Sequence, residues 1–448
     1  MKQKGKTQDL TPTEPRSVAV RLLRRISRRG EHIDLIFSDE SFLRLDVRDR
    51  GLVTELIYGV LRSQGTLDYY ILLLSRAPFQ KLDEIILWIL RLGLYQLEFM
   101  RIPERAAVHE TVNLCRVFQK TSAGSLVNAL LRRFLREKPP QPSGDSAEAL
   151  AVRLSHPVWL VKRYLARQPL KEARAGLMLN NQVPLPALWV NIFKTSLADF
   201  CGRLEQEGIA FEIVPDLPNC LVVRYPAFSQ HPLYREGYCF FMDAASQQVV
   251  YLADLQDRRR LGDFCAAPGG KSFLIASQMQ QGSRLVCADF DSQRLEETRA
   301  RANFYNIPGA ASGLRSQASG LYFVHADLSR SAPFQDCFDF VLLDVPCSGL
   351  GTLRSNPDIR WKAREEDLDR FHAKQVAILA NGFAALQPGG ELIYSTCSTE
   401  PEENESVVRE FLAQETRARK AAEPFKTPVE ERPGDCFFAV RIRRANRF

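Results

Sequence analysis

Apolar residues recur at three- and four-residue spacing through the first third of the chain, in SVAVRLLRRISR, RGLVTELIYGVLRSQGTLDYYILLL, LDEIILWILRLGLYQLEFM and AVHETVNLCRVFQK…SLVNALLRRFLRE. One apolar stripe per 3.6-residue turn marks an amphipathic helix. The spacing predicts an all-helical domain from about Ser17 to Lys138. KPPQPSGDSAEA then breaks the period with prolines, serines and glycine, as a linker does. Beyond it HPVWLVKRYLARQ reads as a short helix, and LWVNIF, FEIVP and CLVVRY alternate with polar turns as short strands would. From Gly237 the pattern changes again. Apolar runs at 261–265, 285–289, 321–325, 338–344 and 391–396 are separated by helical stretches such as SQRLEETRARANFY and EDLDRFHAKQVAILANGFAAL, the latter stopped by QPGG. Strands alternating with helices predict an α/β domain, a mainly parallel sheet with helices on both faces. Its ligands belong beyond the carboxyl ends of the strands. The expected organisation is therefore multidomain: a helical 1–140, a linker and small α+β segment over 141–236, and an α/β domain over 237–448.

A chain of 448 residues exceeds what one hydrophobic core organises, and 45% hydrophobic content suffices for several. No stretch approaches the roughly 18 apolar residues that cross a bilayer, and MKQKGKTQDLTPTEP lacks the apolar segment of a signal peptide. A cytoplasmic protein with no membrane partner is expected. The ten cysteines are scattered, with no C-x-x-C pair and no Cys/His cluster at zinc spacing, so no metal is expected. In a reducing compartment most such thiols are small buried hydrophobes.

Charge divides the chain. Residues 1–140 hold 24 Lys+Arg against 16 Asp+Glu, a net +8, while the other 308 residues hold 36 against 37, a net −1. Arg24, Arg25, Arg28 and Arg29 crowd one helix and its exit, and Arg132, Arg133 and Arg136 crowd another. A basic module beside a neutral one suggests a polyanion-binding appendage on a catalytic or regulatory body. A solvated basic surface is the alternative that charge alone leaves open.

The strand ends carry the candidate chemistry. LGDFCAAPGGKS follows the first strand and opens a helix, so its small residues let backbone N–H groups approach a ligand. It is not a phosphate loop, because Cys265 stands where the first glycine is required, nor does it have the G-x-G-x-x-G spacing of a dinucleotide fingerprint. The next strand ends in Asp289, about twenty residues on, where a carboxylate can accept both ribose hydroxyls. Asp327 and Asp344 end the third and fourth strands. One small-residue turn and three carboxylates favour an adenosine-bearing ligand with a cationic part over a polyphosphate; S-adenosylmethionine is the common cofactor of that description. For any one Asp in isolation, a helix cap or surface residue is the simpler reading.

Two of the strand ends also carry thiols, Cys347 in DVPCSGLGTLRSNPDIRW and Cys397 in YSTCSTEPEENE. A thiol becomes nucleophilic when a helix N-terminus or a nearby positive charge favours the thiolate, and strand-to-helix turns are expected to supply the first. Either cysteine alone reads as structural; two on neighbouring strand ends beside a methyl-donor site weaken that reading.

CAAPGGK, LLDVPCSGLGTLRSNPDIRW and YSTCSTEPEENE, in this order, resemble the cofactor turn and paired cysteine motifs of the RNA cytosine-C5 methyltransferases of the RsmB/Sun (Fmu) type, which act on small-subunit ribosomal RNA. GYCFFMDAASQQVV resembles that family's lead-in to its catalytic domain, and VTELIYGVLR and VNALLRRFL resemble a NusB-like RNA-binding domain. The resemblance covers nearly the whole chain. It implies a NusB-like all-α domain, the small α+β segment and a Rossmann-like class I methyltransferase domain. By position it implies that Cys265, Ala266, Ala267, Pro268, Gly269, Gly270, Lys271, Asp289, Asp327 and Asp344 bind S-adenosylmethionine. Cys397 would be the nucleophile, Cys347 the thiol assisting release, and Asp344 a further contact to the target base. The loop 309–320 looks like an insertion, and Cys436 stands where the family usually has glycine; neither is expected to touch the cofactor turn or the thiol motifs. Ribosomal RNA is the expected partner of a monomeric enzyme. Another ribosomal or transfer RNA site, and a non-catalytic RNA-binding antitermination factor, are the competing readings.

Overall fold

Side-chain caps mark where the first helices begin. Asp46 and Asp83 accept hydrogen bonds from the backbone N–H groups of Asp49 and Ile85, each satisfying a donor left orphaned at the start of helices Val47–Leu74 and Glu84–Phe99. With helices Glu14–Arg29, Glu104–Val117 and Gly124–Glu137 they enclose one core, which includes Leu23, Leu56, Ile57, Ile89, Leu114 and Leu131. This computed structural model describes residues 14–29, 31–75, 78–225, 228–310, 320–427 and 434–446. Most of the expected insertion, residues 311–319, lies outside them.

The chain divides into two compact units, the first being residues 1–182 with 356–362 and the second 183–355 with 363–448. The break thus falls at Gln182, and helices Ala147–Arg153, Val158–Arg167 and Leu170–Leu179 belong with the helical unit rather than with the strands that follow. Residues 356–362 are also part of it. There the fully buried Arg360 guanidinium donates to the carbonyls of Ser155 and Asn180 and to Asn181 Oδ1, at 3.0, 2.9 and 2.7 Å. Such a charge is tolerated in a core only with this degree of hydrogen bonding.

The second unit contains two sheets. In the smaller, β1 (Ala187–Val190), β2 (Phe211–Ile213), β3 (Cys220–Val223) and β4 (Cys239–Phe241) run antiparallel in the order β2-β3-β1-β4. CFF at 239–241 therefore pairs with the small sheet, although the pattern from Gly237 onward reads as the start of the α/β domain. Asn191, just past β1, donates from Nδ2 to the carbonyls of Gly237 and Tyr305, at 2.9 and 2.8 Å.

The larger sheet holds β5 (Arg260–Phe264), β6 (Arg284–Asp289), β7 (Gly320–His325), β8 (Phe338–Asp344), β9 (Leu386–Thr396), β10 (Ala418–Lys420), β11 (Phe425–Lys426) and β12 (Phe438–Arg444). Its order is β10-β12-β9-β8-β5-β6-β7, with β11 paired to β12. The five strands from β5 to β9 are parallel, as their apolar runs predict, while β12, β10 and β11 add an antiparallel edge. No helix among the described residues is long and apolar enough to cross a membrane.

Candidate active site

The chain leaves β5 in one direction, through β6 and β7, then returns to the other side of β5 for β8 and β9. Between β5 and β8 the strand order reverses, which opens a crevice at their carboxyl ends. The turn after β5 faces it. Cys265 has φ +94°, a left-handed conformation that costs a side-chain-bearing residue about 1–3 kcal/mol. Hydrogen bonds from Cys265 N and Ala266 N to Ala288 O, at 2.8 and 3.0 Å, hold it there. Gly269 has φ +99°, and a Cβ on it would lie 2.6 Å from Phe273 Cζ and 2.8 Å from Thr298 Cγ2. Only glycine fits between these side chains, and helix Gly270–Gln278 starts from it.

Asp289, 3% exposed, accepts hydrogen bonds from Ala267 N and Asp291 N, both at 3.0 Å, so it braces the turn. Asp327 lies two residues beyond the end of β7 rather than on it. The Ser329 hydroxyl and backbone N–H, with Arg330, hold its carboxyl below the usual range. Cys265, Asp289, Asp327 and Pro346 line a narrow crevice with two residues that sequence patterning does not single out, Phe290 and Lys374. Lys374 Nζ stands 4.9 Å from the centre of the Phe290 ring. Phe290 directly follows Asp289 and was legible as a neighbour; Lys374 sits in a helical stretch with nothing to mark it.

Lys271 points to a carboxylate of its own protein. Its Nζ lies 2.6 Å from Asp344 Oδ2, while Asp344 Oδ1 accepts from Ser395 Oγ at 2.9 Å. Burial opposes the ammonium charge, but attraction to Asp344 and the hydrogen bond outweigh it, and Cys397 adds in the same direction; the Lys271 pKa is raised.

β8 and β9 are parallel neighbours with Asp344 opposite Ser395, so their following residues emerge side by side. That register brings Cys347 Sγ and Cys397 Sγ within 3.3 Å. The hydrogen bond to Cys397 and then burial push the Cys347 thiol well above its ordinary pKa. The expected helix N-terminus is not at either sulfur: the helix after β9 begins only at Glu405 with Asn404 before it, and the residues after Cys347 are turn.

Cys436 also departs from expectation. Its N–H donates to Gly351 O at 2.9 Å, and Gly351 N donates to Cys397 O at 2.9 Å. A Cβ at Gly351 would sit 2.2 Å from Cys436 O and 2.8 Å from Cys397 O. The C-terminal segment therefore touches both thiol motifs through backbone alone, which explains why composition does not reveal it. Among the described residues no group of three His, Cys, Asp or Glu side chains could hold a metal.

Residues 250–442 match the family model of the 16S rRNA methyltransferases RsmB/F, 13–136 that of the NusB family, and 156–228 that of the ferredoxin-like domain of RsmF/B-like methyltransferases. The chain is 31% identical to ribosomal RNA small subunit methyltransferase B of Cronobacter sakazakii, covering 95% of this chain and 98% of that one. It is 33% identical to a probable ribosomal RNA small subunit methyltransferase B of Coxiella burnetii over 83% of this chain and 85% of the other. The crystal structure of PH0851 shares the fold at a TM-score of 0.81 and 20% identity, covering 98% of this chain and all of that one. With identity and coverage of this extent, and all three domain models in order, the chain belongs to the S-adenosylmethionine-dependent small-subunit ribosomal RNA methyltransferases of the RsmB type.

Proposed function

We propose that this chain methylates carbon 5 of a cytosine in small-subunit ribosomal RNA, with Cys397 as the attacking sulfur. One observation carries the reading: two sulfurs 3.3 Å apart at the ends of adjacent parallel strands, beside the Lys271–Asp344 pair. S-adenosylmethionine, held by the turn Cys265 to Lys271 with Asp289 and Asp327 along the crevice, supplies an electrophilic methyl group. The close approach that Gly269 allows and the carboxylates on successive strand ends suit its adenosine and its positive charge.

Carbon 5 of cytosine is a weak nucleophile because alkylation there breaks aromaticity. Addition of the Cys397 thiolate to carbon 6 makes carbon 5 enamine-like and able to accept the methyl group. Lys271 stabilises the thiolate electrostatically. Asp344 hydrogen-bonds the base edge and stabilises a proton on the ring nitrogen during addition. The methylated adduct then loses its carbon-5 proton to solvent and expels Cys397 as the double bond reforms. Cys347, a protonated thiol in contact with Cys397, donates a hydrogen bond to the departing sulfur. A stacked, paired cytosine cannot reach this crevice, so the base is unpaired or flipped. The basic helical domain contributes phosphate contacts that position the RNA without reading its sequence.

The test is a pair of substitutions assayed on unmodified 16S rRNA. Cys397→Ala abolishes methyl incorporation, and Cys347→Ala leaves protein covalently joined to RNA, seen as a slow band on a denaturing gel. Normal turnover by Cys347→Ala overturns the release role, and exchanged phenotypes reverse the two assignments.

A further inference from the structure

Glu403 is fully buried, yet among the described residues no lysine, arginine or histidine pairs with it. Its carboxylate is instead surrounded by donors from three segments. Oε1 accepts from Ser348 N at 2.7 Å and from Gln375 Nε2 at 3.2 Å; Oε2 accepts from Ser348 Oγ and Ser398 Oγ, both at 2.5 Å. Ser348 follows Cys347, and Ser398 follows Cys397. The two hydroxyls are themselves 3.2 Å apart. Tyr394 Oη donates to the Glu403 carbonyl at 2.6 Å and fixes the backbone that carries the side chain. Isolating a carboxylate from water without a cation is costly, so a site that keeps one while leaving it cation-free gains something other than stability.

We propose that Glu403 is the positioning residue that staples the two thiol loops together and gives the two sulfurs their separate roles. The proposal rests on the cysteine-adduct reading and names what differentiates its two thiols. The Glu403 oxygens reach the loop of each thiol, through Ser348 and through Ser398; at Cys347 the carboxylate charge adds to the Cys397 hydrogen bond and burial, which come first, in favouring the neutral thiol. A negative neighbour favours the neutral thiol and a positive one the thiolate. Cys347 therefore stays a proton-bearing donor, and the serine ties keep the sulfurs at contact distance.

The test follows thiol chemistry in the free, full-length protein, without RNA or cofactor. Iodoacetamide labelling at about pH 8, near the ordinary thiol pKa, resolved by peptide mass spectrometry, should modify Cys397 faster than Cys347 in the parent protein. Glu403→Gln, of equal size but uncharged, should raise the labelling rate of Cys347 severalfold, about 2–3-fold, while changing Cys397 by less. Glu403→Asp should restore much of the contrast. A purely structural Glu403 predicts both rates rising together with the loss of a cooperative thermal transition, and that result, or unchanged Cys347 labelling, overturns the proposal. If Glu403→Gln does not fold, Ser348→Ala, which removes one tie and keeps the charge, should reduce turnover while leaving Cys347 slow to label; fast labelling there overturns the electrostatic part. Because labelling needs no methylation, an active Cys397→Ala enzyme would refute the adduct reading by a separate measurement.

Discussion

Asp263, which strand patterning passes over, is a buried acid close to the Asp344, Lys271 and Asp289 charges. It lies inside β5, 1% exposed, with Ser272 Oγ donating to Oδ2 at 2.5 Å. Burial first, reinforced by the nearby Asp344 and Asp289 charges against the Ser272 bond, pushes its carboxyl up to about 7. The folded protein thus binds this proton more tightly than the unfolded chain, whose carboxyl titrates near about 3.9. The stabilisation is complete below about pH 4 and is lost as pH rises through about 7, at roughly 1.4 kcal/mol per pH unit within that window. We expect urea midpoints to fall between about pH 4 and 7 in the parent protein and to fall less in Asp263→Asn. At Gly351 the limit is steric. Gly351→Ala puts its methyl against two backbone carbonyls that cannot rotate away, so a loss of about 1–3 kcal/mol, measured by denaturation, should accompany impaired methylation.

At the level of elements, the strands β5 to β9 were legible because each is an apolar run bounded by polar turns, the mark of strands buried on both faces. β12 was not. In FAVRIRR, Arg441, Arg443 and Arg444 give a polar look to a strand whose Val440 and Ile442 are fully buried or nearly so. Arg441 is neutralised by Glu391 on β9 at 2.9 Å, a partner fifty residues away that no local window contains. The small sheet depends on a comparable long-range tie, Asn191. Replacing it by alanine leaves the Gly237 and Tyr305 carbonyls without their donor, each worth about 1–3 kcal/mol when buried. Asn191→Ala should therefore lower the thermal midpoint measurably, with the thiol labelling pattern preserved in the protein that remains folded.

Over the whole molecule the basic excess of the first 140 residues is real, but much of it is committed internally. Arg24 and Arg28 pair with Glu84, Arg25 with Glu31 and Asp39, and Arg133 with Glu137. Arg101, Arg105 and Arg116 are exposed and in no ion pair among the described residues. They are better candidates for phosphate binding than the clustered arginines that are paired in this way; Arg132, exposed and bonded to Asn128, stays with the candidates. We expect affinity for ribosomal RNA to fall with salt, and Arg105→Gln with Arg116→Gln to reduce the slope of log K against log salt by about 0.7 for each phosphate no longer neutralised. Arg24→Gln should leave that slope unchanged, and filter binding across a salt series separates the cases.

The order of domains, the strand–turn–helix rhythm, the small-residue cofactor turn and both thiol motifs were written in local stretches, because period and turn chemistry act over a few residues. The electrical setting of those thiols was not. Lys271 meets Asp344 across 73 positions, Cys347 meets Cys397 across 50, and Glu403 meets Ser348 across 55. Those encounters exist only once crossovers set the strand order and the parallel register of β8 and β9. Residue types along the chain determined what chemistry was available; packing decided that the two sulfurs meet, with the Lys271–Asp344 pair and the Glu403 carboxylate beside their loops.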